Sequence, residues 1–419
     1  MRARGSTPSA ATFFSGFTVV TVVAFADGGY FRETWVWTTL ALTCLIWITL
    51  LLRDTIVLGR LELIGLAALA SFVGWVALSA TWSLTPAETI KEAERALVYV
   101  AGFLAAALLV DRDRLREWFS GIAAATIVVA AYGLGDRLLG APPGRDPTQG
   151  TLLIEPFGYA NALGIFATLG TLLSLGLATS AVSKAERIAW VAPLPVLILV
   201  LIQTESRGAW FALSIGLCVL TIFRWKSIDA RAHAVPRQIV LATLTGILMF
   251  VVAAAVRADR PLGQRADYWN VAVHQWMENI WLGSGAGTFA LYWLREKSAS
   301  VVLDAHSLYL ETLAEIGPVG LLLLICALGV PIFAAAKARD YPPTAVGAAS
   351  YVAYLVHAGL DWDWEMPAIT LAGLLCGIGV LAADRQEATE IVIGARARRG
   401  LALIALLLAG LGVAGAVTH

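Results

Sequence analysis

Apolar stretches long enough to cross a lipid bilayer recur along the whole 419-residue chain. A transmembrane helix needs about 20 mainly apolar residues. The stretches here are apolar on all sides, whereas lipid-facing strands alternate, so we interpret them as helices. The sequence predicts an all-α, polytopic integral membrane protein with about 12–13 transmembrane helices. The predicted spans are 10–26, 35–52, 61–80, 96–110, 118–134, 158–178, 188–202, 208–223, 239–256, 308–336, 345–360, 367–383 and 401–417.

The composition excludes most other classes of protein. Hydrophobic residues make up 58% of the chain and charged residues only 14%, whereas a soluble domain carries about 25% charged residues. Disordered, collagen-like, coiled-coil and nucleic-acid-binding proteins are therefore excluded. The four cysteines, Cys44, Cys218, Cys326 and Cys376, lie in apolar runs without metal-ligand spacing. We interpret them as small buried packing residues.

The basic residues predict an orientation, because cytoplasmic loops are enriched in lysine and arginine. With the amino terminus inside, the inner side carries 19 basic and 11 acidic residues, and the outer side carries 11 basic and 19 acidic residues. The formal net charge of zero therefore conceals a charge asymmetry across the membrane. The first stretch ends at Ala24-Phe25-Ala26, like a signal-peptide cleavage site, but it is longer than a usual signal core. We interpret it as an uncleaved helix.

The whole chain, 1–419, reads as one polytopic membrane domain, and its long extracytoplasmic loop is 257–305. Helical spacing in this loop predicts an amphipathic helix at the membrane surface. Its apolar face would carry Trp269, Ala272, Val273, Trp276 and Ile280, and its polar face Asp267, Asn270, His274 and Glu278. The glycine-rich run 283–287 suits either a phosphate cradle or a flexible connection, and we favour the connection.

Charged residues gather at the predicted outer ends of distant helices, and charges at such positions are candidates for function. They are Arg207, in a short turn after Glu205; Arg265, with Arg257 and Arg260 nearby; His306, followed by Glu311 and Glu315; and the acidic group Asp361, Asp363 and Glu365. Arginine side chains suit phosphate oxygens. The acidic group suits a metal site or, as we favour, a solvated turn anchored by Trp362 and Trp364. We predict that these ends form one outward-facing polar cavity.

Several motifs resemble those of the bacterial O-antigen ligase and polymerase family. His306-Ser307 is followed, after nine residues, by Gly317-Pro318-Val319-Gly320, which is similar to the family's H-[NSQ]-x9-G-x-x-G signature. Further similar segments are 206–210 (SRGAW), 157–161 (FGYAN) and 361–364 (DWDW). The resemblance covers roughly residues 75–385, which we take as the ligase-like core. One departure is Phe211, where the family's arginine motif has leucine.

The resemblance implies a fold similar to GT-C glycosyltransferases and an enzyme that transfers a glycan from a polyprenyl-diphosphate carrier, such as undecaprenyl diphosphate. The acceptor would be a lipid, a glycan or a protein. The reaction would take place at the outer face of the bacterial inner membrane, during synthesis of lipopolysaccharide or another envelope polysaccharide. It is expected to invert the anomeric centre and to need neither a metal nor a cofactor. The partners are thus the donor, the acceptor and the lipid bilayer, and nucleic acid is not expected to bind.

Roles for individual residues follow as expectations. His306 would be the general base, because its ordinary pKa of about 6.5 suits proton uptake near neutral pH. Glu311 would orient the imidazole ring or the acceptor. Arg207 and Arg265 would bind the diphosphate, with Arg260 as a weaker third contact. Contacts to the acceptor or the sugar are expected from Tyr159, Asn161, Asp361 and Asp363.

Alternatives remain at this stage. A polymerase of the same family would use the same chemistry and differ only in its acceptor. A transporter or flippase of lipid-linked oligosaccharide would belong to another class, but transporters tend to show internal repeats and ionisable groups near the middle of the membrane. A scaffold without chemistry leaves the histidine signature unexplained. The sequence does not identify the sugar, the acceptor or the oligomeric state.

Overall fold

The fold is described from a computed structural model for residues 9–53, 55–140, 148–228, 264–297, 301–386 and 390–417. Within these residues the chain is mainly helical. The helices of the first half are α1 (Ser9–Ala24), α2 (Arg32–Leu52), α3 (Arg60–Leu78), α4 (Pro86–Leu109), α5 (Leu115–Leu139), α6 (Ala160–Thr179), α7 (Lys184–Val191), α8 (Leu194–Gln203) and α9 (Arg207–Ile228). Those of the second half are α10 (Arg265–Glu278), α11 (Phe289–Lys297), α12 (Leu308–Lys337), α13 (Pro342–Ala358), α14 (Pro367–Ala383) and α15 (Ala395–Val417).

The prediction of an all-α, polytopic membrane protein is confirmed. In the described part of the chain, seven helical stretches are long and apolar enough to cross a membrane, and two shorter apolar helices, α1 and α14, accompany them. The predicted span 239–256 lies outside the described residues. Helix α4 begins at Pro86, ten residues before the predicted span. The prediction missed its first turns because they are polar and carry no apolar run.

Two helices form the centre of the bundle. All the residues of α14 are buried, and nearly all those of α6 are buried as well. Helices that are apolar all round are expected at such central positions. Small residues bring the outer helices close: Gly121 of α5 faces the backbone of Phe13 in α1, where a Cβ would overlap a carbonyl oxygen. Helix α1 therefore packs directly against α5.

The linkers that follow α1, α3, α5, α8 and α13 gather at one end of the bundle, which we call the site end. Tyr30 after α1 packs edge-on against Trp362 after α13, with ring centroids 5.7 Å apart. The backbone amide of Leu153 donates to the carbonyl oxygen of Gln203 at 3.2 Å, which joins two further linkers. Helices α10 and α11 lie at the same end. The site end therefore brings together parts of the chain that are far apart in sequence.

The opposite end is held together by a buried ion pair. Arg385 donates from Nε and Nη2 to the carboxylate of Glu62, at 2.8 and 2.6 Å. Its Nη1 donates to the carbonyl oxygen of Val110 at 2.6 Å. Short strands β1 (Val57–Gly59) and β2 (Glu390–Val392) pair antiparallel nearby, with Leu58 opposite Ile391. This end is therefore fixed by polar contacts that join α3, α4 and the segment after α14.

The cysteine prediction is corrected by the structure. Cys376 is buried in α14, but Cys44, Cys218 and Cys326 are exposed on α2, α9 and α12. The exposed surface of a membrane-spanning helix meets lipid, so it is as apolar as the interior. An apolar sequence context therefore does not predict burial in a chain of this class.

Candidate active site

One buried carboxylate at the site end joins side chains from distant parts of the chain. Asp361 has no exposed surface. The hydroxyl of Tyr159 donates to Oδ1 and Nδ2 of Asn161 donates to Oδ2, both at 2.7 Å. Nη2 of Arg265 also donates to Oδ2, and the backbone amide of Trp362 donates to Oδ1 at 2.9 Å. We call Asp361, Tyr159, Asn161 and Arg265 the Asp361 hub.

The hub orients the guanidinium of Arg265. Nε of Arg265 donates to the carbonyl oxygen of Leu360 at 2.6 Å, and its side chain is 25% exposed. Nη1 makes no contact with the described residues that would occupy it. Burial disfavours the ionised form of Asp361, but the positive charge of Arg265 and the other donors hold the pKa of Asp361 below its ordinary value. The carboxylate is therefore charged at neutral pH and fixes one edge of the guanidinium.

His306 lies beside the hub in a backbone conformation that few residues adopt. Its φ angle is +54°, and residues other than glycine rarely have positive φ. Nδ1 lies 3.1 Å from the carbonyl oxygen of Asp304. A carbonyl only accepts, so Nδ1 carries the hydrogen and Nε2 keeps its lone pair. The ring packs on Tyr268 with centroids 4.6 Å apart, and Tyr268 lies one helical turn after Arg265.

Burial controls the protonation of His306. It lowers the pKa of the imidazole below its ordinary value, and Arg265 acts in the same direction, while the charge of Asp361 opposes the shift. The net effect is a lowered pKa. The ring is therefore neutral near pH 7, as a general base must be before the reaction.

Arg207 is the first residue of α9 and is exposed. Among the described residues no ion pair involves it, including with its neighbour Glu205. The next residue, Gly208, lies against the imidazole of His357, because a Cβ at Gly208 would be 3.2 Å from Cε1 of that ring. The backbone amide of Asp361 donates to the carbonyl oxygen of His357 at 3.1 Å. The start of α9 is thus next to the segment that carries the hub.

The predicted contacts of Asp361 and Asp363 with a sugar are changed by the structure. Asp363 is 1% exposed, and its Oδ2 lies 2.8 Å from Nε2 of His357, which is also buried. Asp361 is covered by its own partners. Both carboxylates are therefore buried and bind neighbouring side chains of the protein. Tyr159 and Asn161 are only partly buried and are the members of the predicted set that remain open to a ligand.

A second group of charges lies behind the hub. Arg95 of α4 donates from Nη1 to Glu365 at 2.7 Å and from Nη2 to Glu92. Carboxylate oxygens of Asp304, Glu311 and Glu365 lie within 4.8 Å of one another. We call Glu92, Asp304, Glu311 and Glu365, with Arg95, the acid cluster. Burial and the neighbouring Glu365 raise the pKa of Asp304 well above its ordinary range.

Glu311 belongs to this acid cluster and contacts the backbone instead of the imidazole. Its Oε2 accepts a hydrogen bond from the amide of Ala305 at 2.7 Å. Ala305 immediately precedes His306, so Glu311 fixes the chain on which the histidine is mounted. The structure therefore replaces the predicted contact with the ring by a backbone contact.

The glycines of the histidine signature fit a break in α12. Ile316 and Gly317 are non-helical inside α12, and Gly317 has φ +70° and ψ −175°, a conformation that is essentially confined to glycine. A Cβ at Gly317 would also overlap the carbonyl oxygen of Trp281. At the same break, Glu315 accepts hydrogen bonds from the amides of Gly287, Thr288 and Phe289, at 2.8, 2.8 and 2.9 Å.

The glycine-rich run 283–287 is therefore an ordered turn that binds a carboxylate of its own chain. Gly283 and Gly285 have positive φ and pack against the backbone of Glu315 and Ser83. The predicted flexible connection is not what the structure describes, and the amides that would cradle a phosphate are occupied by Glu315.

Helix α10 is amphipathic as predicted, but its buried face differs from the predicted one. The buried residues are Tyr268, Val271, Ala272 and Gln275, and they pack with residues of α11 and α12. Val273 and Ile280 are exposed, at 38% and 48%. The inner face is rotated by about one residue because α10 packs on the protein and carries Arg265 and Tyr268 towards the hub.

Comparison with known families now adds to this geometry. A family model described as O-antigen ligase matches residues 192–325. The match covers about a third of the chain, which is similar to the O-antigen ligase family over that region. No curated protein matches the chain. The matched region contains Arg207, Arg265, His306 and Gly317, whereas Tyr159, Asn161 and Asp361 lie outside it. The similarity to this family of ligases and polymerases supports a glycosyltransferase type of enzyme.

The sequence predicted the hub residues, but of the acid cluster it selected only Glu311 and Glu365. Arg95, Glu92 and Asp304 were not selected, because the contact that joins them to the site is remote in sequence: 270 residues separate Arg95 from Glu365. The signal that was available is the presence of charges at the mouth of an apolar helix. Arg257 and Arg260 lie outside the described residues.

The acid cluster is also where a metal ion would be sought. Three carboxylates within 4.8 Å of one another resemble the donor set of a hard cation. Arg95 already places a positive charge on Glu365 at 2.7 Å. The pKa of Asp304 is raised by burial and by Glu365, which favours the neutral form of Asp304 and reduces the negative charge of the cluster. A cavity of about 90 Å³ next to Glu92, Arg95, Glu311 and Glu315 is otherwise mainly apolar, and the hub does not line it.

Proposed function

We propose that this protein is a glycosyltransferase that moves a glycan from a polyprenyl-diphosphate carrier to an acceptor hydroxyl at the outer face of the bacterial inner membrane. The carrier, the acceptor and the sidedness go beyond what the family similarity alone states. The proposal also includes inversion at the anomeric carbon and a reaction without metal or cofactor.

The observation that carries the proposal is the arrangement around Asp361. Tyr159, Asn161 and Arg265 come from separate parts of the chain and donate to one carboxylate. This fixes Arg265 with Nη1 available, next to a histidine whose Nε2 is unprotonated. A cation for the leaving group and a base for the nucleophile are therefore adjacent, which is what displacement of a diphosphate by an alcohol requires.

The proposed reaction is a single displacement. The acceptor oxygen forms a bond to the anomeric carbon while the bond from that carbon to the diphosphate oxygen breaks. The proton of the acceptor passes to Nε2 of His306. The electron pair of the broken bond leaves with polyprenyl diphosphate, whose charge Arg265 and Arg207 stabilise. Such a contact is typically worth about 2.7–4 kcal/mol of barrier, and Arg260 is proposed as a weaker third contact.

The proposed sidedness rests on the charges of the two ends. Arg53, Arg112, Arg116, Arg385 and Arg398 lie at the end opposite the hub, where their guanidinium groups contact helix ends and linkers. Arginine and lysine are enriched in cytoplasmic loops. This distribution supports a hub that faces the periplasm or the exterior.

The test is a transfer assay with purified protein in proteoliposomes. A polyprenyl-diphosphate-linked oligosaccharide and candidate lipid, glycan and peptide acceptors are supplied, and free polyprenyl diphosphate and glycosylated product are measured. We expect release that depends on the acceptor, is unchanged by EDTA and is abolished by His306→Ala. His274→Ala is the matched control, since His274 is an exposed histidine of α10 paired with Glu296.

The product also separates the alternatives. An elongated lipid-linked glycan identifies a polymerase, whereas glycan on a different acceptor identifies a ligase. Movement of intact donor across the bilayer without any new glycosidic bond contradicts the proposal and indicates a transporter. Loss of transfer in EDTA that Mg²⁺ or Ca²⁺ restores contradicts the metal-free mechanism.

A further inference from the structure

Arg95 lies outside the hub, yet it binds Glu365, which follows Asp361 in the chain and lies close to Asp304, two residues before His306. Its side chain is almost fully buried, with 4% exposure. The guanidinium lies between two indole rings, 5.7 Å from the centroid of Trp35 and 5.4 Å from that of Trp364. Its terminal nitrogens donate to Glu365 and Glu92. A planar cation between two aromatic faces, with both terminal nitrogens bonded, has little freedom to move.

The first path from Arg95 leads to the hub. Glu365 is 7% exposed and lies in the short 3-10 helix Asp363–Glu365. That helix continues directly from Asp361, and the amide of Glu365 donates to the carbonyl oxygen of Trp362 at 3.0 Å. Fixing Glu365 therefore fixes the segment on which Asp361 is mounted, and with it the guanidinium of Arg265.

The second path leads to His306. A carboxylate oxygen of Glu365 lies within 4.8 Å of one of Asp304, and the carbonyl oxygen of Asp304 lies 3.1 Å from Nδ1 of His306. Glu311, in the same acid cluster, holds the amide of Ala305 at 2.7 Å. The backbone of His306 has a positive φ angle and therefore needs such external support.

We propose that Arg95 is a positioning residue of the transfer reaction, which aligns His306 with Arg265 by clamping Glu365 between them. The inference rests on the proposed function. Arg95 itself contacts neither substrate nor base. Its effect is geometric, and a displacement of about 1 Å between catalytic groups can reduce a rate about 100-fold.

The experiment compares two arginines of α4 and α2 that make similar ion pairs. Arg95→Gln is measured beside Arg32→Gln. Nε of Arg32 donates to Glu94 at 2.9 Å; Glu94 is on the same helix as Arg95 but is not a member of the acid cluster. Folded yield, thermal unfolding, kcat and the KM for the donor are determined for each. Arg95→Gln is expected to lower kcat about 10- to 100-fold with a nearly unchanged KM, and Arg32→Gln to leave both unchanged.

Arg95→Lys and Glu365→Gln complete the test. Lysine keeps the charge, so partial recovery of kcat is expected, and the double variant Arg95→Gln/Glu365→Gln should be no slower than the slower single variant, because both break one contact. Full kcat in folded Arg95→Gln overturns the inference. If Arg95→Gln does not fold, Arg95→Lys takes its place. An unchanged kcat in Arg95→Lys overturns the inference, and so do additive losses of kcat in the double variant Arg95→Lys/Glu365→Gln. Failure of the wild type to transfer glycan contradicts the proposed function, which distinguishes the two results.

Discussion

The Asp361 hub and the acid cluster both combine carboxylates with an arginine, but the hub has one carboxylate with several donors and the cluster has one guanidinium with several carboxylates. In the hub, one carboxylate receives several donors, and Arg265 keeps 25% of its side chain exposed. In the acid cluster, one guanidinium serves several carboxylates, and Arg95 is 5% exposed in its side chain. The hub therefore presents unused positive charge to a ligand, whereas the cluster is closed on itself. The comparison indicates that the hub is suited to chemistry and the cluster to support.

The comparison extends to the glycine-rich turn, which belongs to the supporting side. Glu315 occupies the amides of residues 287–289, so an anion site that resembles a phosphate cradle is filled by the protein. In the described part of the chain, the proposed diphosphate donors are Arg265 of the hub and the exposed Arg207. Each prediction below asks whether a residue falls on the chemical or on the supporting side.

The largest expected effect is on stability, at Glu315. Glu315→Ala leaves two buried amide donors and one partly buried amide donor without an acceptor. An unsatisfied buried group costs about 1–3 kcal/mol, so we expect a loss of about 3–5 kcal/mol after relaxation. Thermal unfolding in detergent measures it. Glu315→Gln keeps a carbonyl acceptor and should lose clearly less. Equal stability of Glu315→Ala and wild type would show that the glycine-rich turn does not support the fold and belongs with the residues of the reaction.

The next effect is on activity, at Arg265. Arg265→Gln removes the guanidinium that faces the leaving group, and we expect a loss of about 2.7–4 kcal/mol of transition-state stabilisation, or 100- to 1000-fold in kcat. Some loss of stability is also expected, because the buried Asp361 loses the cation that offsets its charge, so kcat is compared on folded protein. Arg295→Gln is the matched control, since Arg295 is an exposed arginine of the same outer segment paired with Glu278. A loss of stability without loss of kcat would place Arg265 among the supporting residues.

A smaller effect on stability is expected at Gly317. Gly317→Ala forces a Cβ into a conformation that costs about 1–3 kcal/mol and into the backbone of Trp281. Gly329→Ala is the control in the same helix, because a Cβ there meets nothing within 4 Å. The two variants are compared by thermal unfolding. Similar unfolding temperatures would show that the break in α12 does not depend on glycine.

The smallest effects are shifts in the pH profile of kcat/KM. Activity requires neutral His306, so it falls as the pH decreases through the pKa of that ring. Burial lowers this pKa, Arg265 lowers it further and Asp361 raises it. The acidic limb should therefore lie below the ordinary histidine value of about 6.5. In the residual activity of Arg265→Gln, the acidic limb of the pH profile should lie at higher pH than in wild type. In Asp361→Asn it should lie at lower pH than in wild type. Shifts of the same sign in both variants would contradict the assignment of His306 as the titrating base.

The sequence predicted what depends on local pattern. Apolar runs predicted the helical, polytopic class, short motifs selected His306, Tyr159, Asn161 and Asp361, and the charges at predicted helix ends selected Arg265. It did not predict which face of a helix is buried. The buried face of α10 is rotated from the predicted one, and three cysteines of apolar helices are exposed. In a membrane protein, apolar residues face both lipid and core, so hydrophobic periodicity loses its information about burial.

The acid cluster was beyond the sequence for a different reason. Arg95 and Glu365 are 270 residues apart, and Glu315 reaches amides 26–28 residues away. Nothing local to Arg95 distinguishes it from Arg32, which also pairs with a glutamate. Glu311 was predicted to orient the imidazole or the acceptor from its position one turn into the helix, but its side chain turns back to the amide of Ala305. Such contacts depend on how helices from distant parts of the chain meet.

The central claim is that His306 takes the acceptor proton while the hub holds the diphosphate. The most direct measurement is single-turnover release of polyprenyl diphosphate by wild type and His306→Ala, each folded and saturated with the same donor and acceptor. We expect acceptor-dependent release by wild type, and loss of release with retained donor binding in His306→Ala. Full single-turnover release by His306→Ala would contradict the claim.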